Sequence, residues 1–523
     1  MQSQTHFFFD SLKASLSADM ETSNSDQVPT MVIGEKVLLE EANKLELEAS
    51  QQNRVKSECI PAFEEFEDLL HDVYVMSRPN ESDYYNRKDL VRIFNEIAKE
   101  IYGKSDEIPV VEEFGSFLMD IFSSKSDLDL SVNFGNNTAD FPREKKIQHL
   151  RKFSKKFHQL KRKGHVSSVQ PIFNAKVPIL KLVDRGTGIE CDISVENRDG
   201  IVKSQIIRMI SSIDERFQML SFLMKSWAKA NDINSSRDRT LNSLSIISLV
   251  AFHLQTRDPP ILPPFSAVLK DGTDPALVEK LVNNFLNYGK RNGESLGELF
   301  ISLLIKLASI EELWPKGLCA STYEGSWILK TWDSKYDSIR VEDFTDRSQN
   351  ISRAVGAPEL KKIYDCIHFS NYYVSGFLNG QIQRTKLMEY LFGQELIPAL
   401  EEKRTFNLGK RMTESCISSV DPVQIKKMRP GPAAGPCSEE REQPATTPIQ
   451  ASNMHYMNVK GWGGRQWQTA TKSWTGNPTP TLSLGGRMND AIDPPDVLVK
   501  GRKNKSQQKR SRCASANQAK ADN

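Results

Sequence analysis

Phe114-Gly115-Ser116-Phe117, then Asp127-Leu128-Asp129-Leu130-Ser131-Val132, then Cys191-Asp192-Ile193-Ser194-Val195 decide how this 523-residue chain is read. The first stretch follows Val110-Val111 and reads as a loop opening a short helix, Phe117 to Ser123. A helix start carries unpaired backbone N–H groups that hold phosphate oxygens. Gly115 lets that backbone approach a phosphate closely, and Ser116 adds a hydroxyl donor. The second stretch alternates apolar and polar residues as a half-buried strand does, so Asp127 and Asp129 point the same way. The third reads as a neighbouring strand on which Asp192 completes the set. Carboxylates grouped on one sheet face suit a pair of Mg²⁺ ions, which take hard oxygen ligands. A paired-metal site activates an attacking hydroxyl and stabilises the leaving oxygens in line. A lone Asp-x-Asp or Gly-Ser is an ordinary turn; the order of all three elements makes the pattern informative.

Around this centre the chain divides by composition. Residues 1–57 are polar and read as a flexible lead with some helix near Glu40 to Gln52. Residues 58–82 read as a helix packing on the central domain, with Phe63, Phe66, Leu69, Leu70 and Val73 at helical spacing. Residues 83–200 read as the catalytic domain. There Leu90, Ile93, Phe94 and Ile97 mark one helix face, and Arg143 to Lys163 form a basic helix with ten Lys/Arg and one Glu. Its apolar side is expected to be Ile147, Leu150, Phe153, Phe157 and Leu160. The other side is a solvated charged face or a contact for an RNA backbone. Strands are expected over Val166–Phe173, Val177–Val183 and Glu190–Val195, with Pro171 and Pro178 at a strand start, an edge or a bulge.

Residues 201–403 read as a mainly helical domain, with helices over Val202–Ser212, Arg216–Asn231, Asn242–Thr256, Pro275–Tyr288, Leu296–Leu307 and Asn371–Leu400. One short strand is expected at Ser338 to Glu342. Residues 404–523 are rich in Pro, Gly, Ser and Thr and read as a disordered basic tail, with 19 Lys/Arg against 9 Asp/Glu. The whole chain has a net charge of +2, so the tail's +10 leaves −8 on residues 1–403. A basic tail on an acidic body suits a nucleic-acid partner better than a membrane. The seven cysteines show no C-x-x-C pair or zinc spacing and read as reduced thiols. No apolar run approaches the roughly 18 residues of a membrane span, so the expectation is a soluble protein of the cytoplasm or nucleus.

With these segments placed, the chain resembles the terminal uridylyltransferases and cytoplasmic-type poly(A) polymerases, most of all the plant uridylyltransferases that tail small RNAs. The resemblance runs from about residue 60 to 400. It is carried by the stretches above, by Val177-Pro178-Ile179-Leu180-Lys181 and Lys225-Ser226-Trp227-Ala228-Lys229, by Thr240-Leu241-Asn242-Ser243, and by Val341-Glu342-Asp343 with Asn350, Arg353 and Val355. It implies an α+β fold: a polymerase-β-like nucleotidyltransferase domain with a mixed sheet, joined to a helical central domain, with the nucleotide in the cleft between them. Asp127, Asp129 and Asp192 match the catalytic triad that holds Mg²⁺ or Mn²⁺, and Asp192 matches the group that activates the RNA 3′ hydroxyl. Gly115, Ser116, Lys203, Lys225, Lys229, Ser243, Gln349 and Asn350 match nucleotide-binding positions. Independently, Lys225 and Lys229 are spaced to share one helix face.

Three departures bear on base choice. Leu244 stands where the family places a stacking Tyr, Asp343-Phe344-Thr345 replaces Asp-Pro-Phe, and Gln349 stands where uracil-selective members often carry His. The implied activity is template-independent addition of UMP from UTP to RNA 3′ ends, with small RNAs or decay intermediates as substrates. The alternatives are AMP addition and a weakly active RNA-binding adaptor of the same fold. In the tail, Trp462, Trp467 and Trp474 resemble Gly-Trp hooks for an Argonaute-type partner, and stacking on RNA bases is a second use.

Overall fold

The computed structural model describes residues 30–56, 60–103, 107–135, 141–332 and 339–396. The expected tail, with Trp462, Trp467 and Trp474, lies outside the described residues, as does the first half of the expected lead.

The catalytic half is built on a five-stranded sheet: β1 (Val110–Phe114), β2 (Leu128–Asn133), β3 (Val166–Ile172), β4 (Ile179–Asp184) and β5 (Glu190–Val195). Their spatial order is β1-β2-β5-β4-β3. Only β2 and β5 run parallel; the other neighbours are antiparallel. Leu128, Leu130 and Val132 alternate into the core from β2, and Cys191, Ile193 and Val195 do so from β5. Pro171 sits on the edge strand β3, where its missing N–H costs no inner ladder bond, and Pro178 stands just before β4.

Two helices cover one apolar layer of this sheet. The first is α3 (Glu81–Tyr102), started by a capping box in which Asn80 and Asp83 satisfy each other's backbone N–H groups. The second is α5 (Arg143–Arg162), which buries Leu150, Phe153 and Phe157. Leu160 packs only partly and Ile147 stays half-exposed, so the apolar stripe is narrower than the spacing predicts. Each fully buried Phe on that stripe contributes about 1.5–3 kcal/mol.

The second core is helical. It gathers α2 (Ile60–Ser77), α6 (Arg198–Ile210), α7 (Glu215–Ala230), α8 (Ser243–Gln255), α10 (Pro275–Val282), α11 (Leu296–Ser309), α12 (Ala357–Leu378) and α13 (Arg384–Phe392) around Phe217, Trp227, Phe252, Phe300 and Trp314. A one-turn helix, α9 (Phe265–Val268), and a hairpin, β6 (Leu318–Ser321) with β7 (Ser326–Leu329), complete it.

Several expectations are corrected here. Residues 30–56 are one helix, α1 (Thr30–Lys56), and not a flexible lead with a short helix. The sequence conceals this because, among the helix's described side chains, Leu38 and Ala42 alone are fully buried apolar groups, with Leu39 and Leu45 partly so. The decisive anchor is polar: Glu46 meets the buried Lys306 ammonium and accepts from Trp327 Nε1 at 3.1 Å. The expected helix Pro275–Tyr288 ends at Val282, tightens into a 3-10 turn over Asn283–Phe285 and leaves helical geometry at Leu286, whose ψ is 126°. Of the expected strand Ser338–Glu342, Val341 and Glu342 form isolated bridges to Ala320 and Asn350, and Ser338 lies outside the described residues. The closing helix is two helices, α12 and α13, broken at Gly380, whose φ is 72°.

Candidate active site

Parallel pairing of β2 and β5 puts Asp129 directly opposite Asp192, with Asp127 one step before β2 on the same face. Burial raises the Asp129 carboxyl to about 7, reinforced by the nearby charges of Asp192 and Asp127. Burial likewise lifts Asp192 to about 6, against the pull of Lys181. Lys181 stands opposite Asp192 across the β4–β5 ladder. Its ammonium lies 3.2 Å from Asp127 Oδ2, 2.9 Å from Glu190 Oε2 and 3.5 Å from Asp192 Oδ1. Burial works against its charge, but these carboxylates win and hold it protonated.

Gly115 opens α4 (Gly115–Met119) with a φ of 67°, in the left-handed region. A Cβ there would stand 2.0 Å from Asp129 Oδ2, so only glycine leaves the carboxylate in place. The Gly115 N–H donates to Ser204 Oγ at 2.8 Å, and Ser204 Oγ donates to Gly200 O at 2.7 Å. The backbone N–H of Gly115 is therefore committed within the protein, and the glycine's function is to admit Asp129 rather than to lay its own N–H on a phosphate.

A cleft of about 690 Å³ runs between the sheet and the helical half. Gly115, Ser116, Asp127 and Asp129 line one side; Lys203, Lys225, Lys229 and Ser243 line the other. Lys225 donates to Ile121 O at 2.6 Å, and its ammonium is lowered to about 8 by burial, with Asp129 opposing and Lys229 assisting the shift. Lys229, one turn on, is exposed. Ser243 opens α8 beside Asn234, with the two side chains 3.4 Å apart, and Asn242 caps that helix by accepting from Ser245 N. Leu244 and Ile247 add an apolar wall.

Three of the expected nucleotide-binding residues are placed differently. Lys203 lines the cleft, but its ammonium is clasped by Asp199 and Asp343, each at 2.6 Å. Asn350 is buried: its Oδ1 accepts from Val341 N and Ser352 N, and its Nδ2 donates to Ile339 O, so it shapes the 341–352 loop. Gln349 is outside the cleft lining, and its Oε1 accepts from Lys176 Nζ at 3.1 Å. Lys181 is the site residue that spacing gave no role, since only the β4–β5 register brings it to Asp192. Ser204, which the resemblance puts with Lys203 at a ribose or phosphate contact, instead bonds Gly115 N–H and Gly200 O, and Asp120 holds the site without a sequence signal.

The donor set fits divalent cations. Asp192 Oδ1 is buried with no hydrogen-bond partner, and Asp129 and Asp192, paired in register beside Asp127, both have raised affinity for protons. Among the described residues no three acidic, His or Cys side chains yet close into a metal cage.

Comparison with known proteins agrees with this geometry. Residues 66–212 match the family described as "Poly(A) RNA polymerase, mitochondrial-like, central palm domain". Protein HESO1 of Arabidopsis thaliana is 30% identical over 353 residues, covering 63% of this chain and 67% of that protein. Terminal uridylyltransferase 4 of Homo sapiens is 29% identical over 347 residues, 63% of this chain but only 19% of that protein. Among solved structures, mtPAP in complex with UTP superposes with a TM-score of 0.51 at 19% identity, covering 71% of this chain and 77% of that one. The Cid1 poly(U) polymerase gives 0.50 at 21%, covering 63% and 98%. These structures share the fold. From its fold, its site and its relatives, the chain belongs to the terminal uridylyltransferase and cytoplasmic-type poly(A) polymerase family of polymerase-β-like nucleotidyltransferases.

Proposed function

We propose that this protein is a template-independent RNA uridylyltransferase, transferring UMP from UTP to the 3′ hydroxyl of RNA. One observation carries the reading: Asp129 and Asp192 face each other in register beside Asp127, across a cleft from Lys225, Lys229 and Ser243. Asp127, Asp129 and Asp192 are the residues to hold Mg²⁺ or Mn²⁺, which supplies Lewis-acid stabilisation of the attacking and leaving oxygens. Lys225, Lys229, Ser116 and Ser243 bind the triphosphate, cations and hydroxyls together offsetting its charge. Asp192, whose Oδ1 has no hydrogen-bond partner and lies 3.5 Å from the Lys181 ammonium, takes the proton of the 3′ hydroxyl. The 3′ oxygen then forms a bond to the α-phosphorus as the bond to pyrophosphate breaks.

Base choice is supported by the amide of Gln349. With Oε1 turned to the Lys176 ammonium and Nε2 donating to Ser348 Oγ at 3.2 Å, the amide has one further N–H, a donor that matches the O4 acceptor of uracil and not the N6 amino group of adenine. AMP addition is the second reading, favoured by Leu244, whose apolar side chain lines the cleft and carries no aromatic face to select a ring. The RNA approaches along α5, where Lys145, Arg151, Lys152 and Lys155 are exposed. Small RNAs or decay intermediates are the substrates this reading favours, and it places the protein in the cytoplasm or nucleus. The spaced Trp462, Trp467 and Trp474 are assigned to an Argonaute-type partner on their sequence setting. Among the described residues no helix is long and apolar enough to cross a membrane.

The test is extension of a labelled single-stranded RNA with Mg²⁺ or Mn²⁺ and each nucleoside triphosphate supplied separately, beside the Asp127→Ala/Asp129→Ala protein. Extension with UTP that the double variant abolishes is expected. Preference for ATP moves the assignment to AMP addition. No extension by folded, RNA-binding protein leaves the adaptor.

A further inference from the structure

Asp120 ends α4 in the left-handed conformation, φ 60°, a position that short polar side chains tolerate and glycine fits best. It lies outside the cleft lining, yet its groups collect donors from three elements. Oδ1 accepts from Tyr84 OH of α3 at 2.6 Å. Oδ2 lies 2.8 Å from Arg208 Nη1 of α6 and accepts from Gln218 Nε2 of α7 at 3.1 Å. The same Gln218 Nε2 donates to the Asp120 carbonyl at 2.8 Å. Burial and the Asp120 carboxylate both raise the Tyr84 phenol, so it remains a donor.

The next residue continues the chain of contacts into the site. Ile121 N–H donates to Ser116 O at 3.1 Å, and Ile121 O accepts from Lys225 Nζ at 2.6 Å. Gln218 and Lys225 lie two turns apart on one face of α7, so that helix grips the 120–121 turn at two points. Where Asp120 is held decides where Lys225 stands relative to Ser116 and Asp129.

We propose that Asp120 is a positioning residue that pins the Gly115–Ser116 turn to the helical half and thereby sets the triphosphate side of the cleft. This rests on the uridylyltransferase reading. The carboxylate joins α3 of the catalytic core to α6 and α7 of the helical core, while the backbone beside it joins Ser116 to Lys225. Loss of the pin loosens nucleotide binding and leaves the RNA side, which lies along α5, untouched.

The experiment compares the full chain with Asp120→Gly, Asp120→Asn, Gln218→Leu and Tyr84→Phe. It reads the KM for UTP, the KM for RNA, kcat, the thermal midpoint and direct UTP binding by calorimetry. Gly keeps the left-handed backbone and deletes the carboxylate. Asn keeps an oxygen for Gln218 and Arg208 and offers its amide to the phenol oxygen. Asp120→Gly is expected to raise the KM and dissociation constant for UTP about tenfold, as loss of a hydrogen bond to a charged group does. The KM for RNA is expected to stay unchanged, Gln218→Leu to follow in the same direction, Tyr84→Phe to act more weakly, and Asp120→Asn to recover most of the loss. The proposal is overturned if folded Asp120→Gly and Gln218→Leu bind UTP as the wild type does. It is equally overturned if both KM values rise in step with a falling midpoint and Asn gives no rescue. Wild-type protein extending RNA in the same assay keeps a failed pin separate from a failed function.

Discussion

Replacing Gly115 by Ala tests the site at its tightest point. The added Cβ would lie 2.0 Å from Asp129 Oδ2, more than an ångström inside ordinary contact, and 2.8 Å from its Cγ. Two penalties follow. The backbone φ of 67° costs an L-residue with a β-carbon about 1–2 kcal/mol. At about 2–4 °C per kcal/mol for a domain of this size, the midpoint falls by about 2–8 °C. The clash is relieved by moving the Asp129 carboxylate about 1 Å, and a displacement of that size in a reacting constellation costs about a hundredfold in rate. UTP-dependent extension should therefore fall about a hundredfold in kcat/KM, equivalent to about 2.7 kcal/mol of barrier. The midpoint drop is too small to explain that loss at 25 °C. Extension kinetics with saturating RNA and varied UTP, alongside a thermal melt, measure both quantities. A Gly115→Ala protein within threefold of wild-type kcat/KM would refute the claim that this glycine exists to admit Asp129.

Three further outcomes are expected. In chelator-treated protein Asp129, at about 7, and Asp192, at about 6, bind protons more tightly folded than unfolded. Their contribution to stability is thus largest in acid and declines as pH rises from about 4 to about 7; a melt series should show a steeper decline for wild type than for Asp129→Asn, and equal slopes would contradict the crowding of carboxylates. Lys181→Met removes the cation that already touches Asp127 and Asp192, so Mn²⁺ titrated alone and followed by electron paramagnetic resonance should bind about tenfold tighter; weaker binding would mean that Lys181 orders the carboxylates instead of competing for them. Changing Lys145, Arg151, Lys152 and Lys155 to Gln should weaken RNA binding and flatten its salt dependence by up to about three in log–log slope, at about 0.7 per phosphate contact on a single strand. An unchanged slope would move the RNA off α5.

The sheet and the carboxylates were legible because strand alternation leaves a direct trace in sequence: Leu128, Leu130 and Val132 point inward, and Asp129 cannot then do so. The Lys225 helix was legible for the same reason at helical period. What sequence did not carry was pairing. Lys181 becomes part of the site only when β4 lies antiparallel to β5, and Asn350 becomes a loop staple only when Val341 and Ser352 fold over it. Residues Leu318–Ser321 are buried throughout, so β6 shows no alternation, and its hairpin was invisible. Lys203 was readable as a cation near phosphates; its clasp by Asp343 joins residues 140 positions apart.

The first helix has a practical consequence for anyone trimming this protein to a minimal active fragment. The family match begins at residue 66, which invites a cut there. Such a cut would strip Glu46 from Lys306, whose side chain is only 2% exposed, and take the partner from the Trp327 indole N–H. That ammonium would keep the Thr256 hydroxyl but lose its paired carboxylate, a loss that costs about 3–5 kcal/mol for a buried pair, a large share of what an ordinary domain has to spare. Insolubility or low yield of a fragment starting at residue 66 would report a missing strut in the scaffold, not a defective enzyme, and cloning should begin upstream of Thr30.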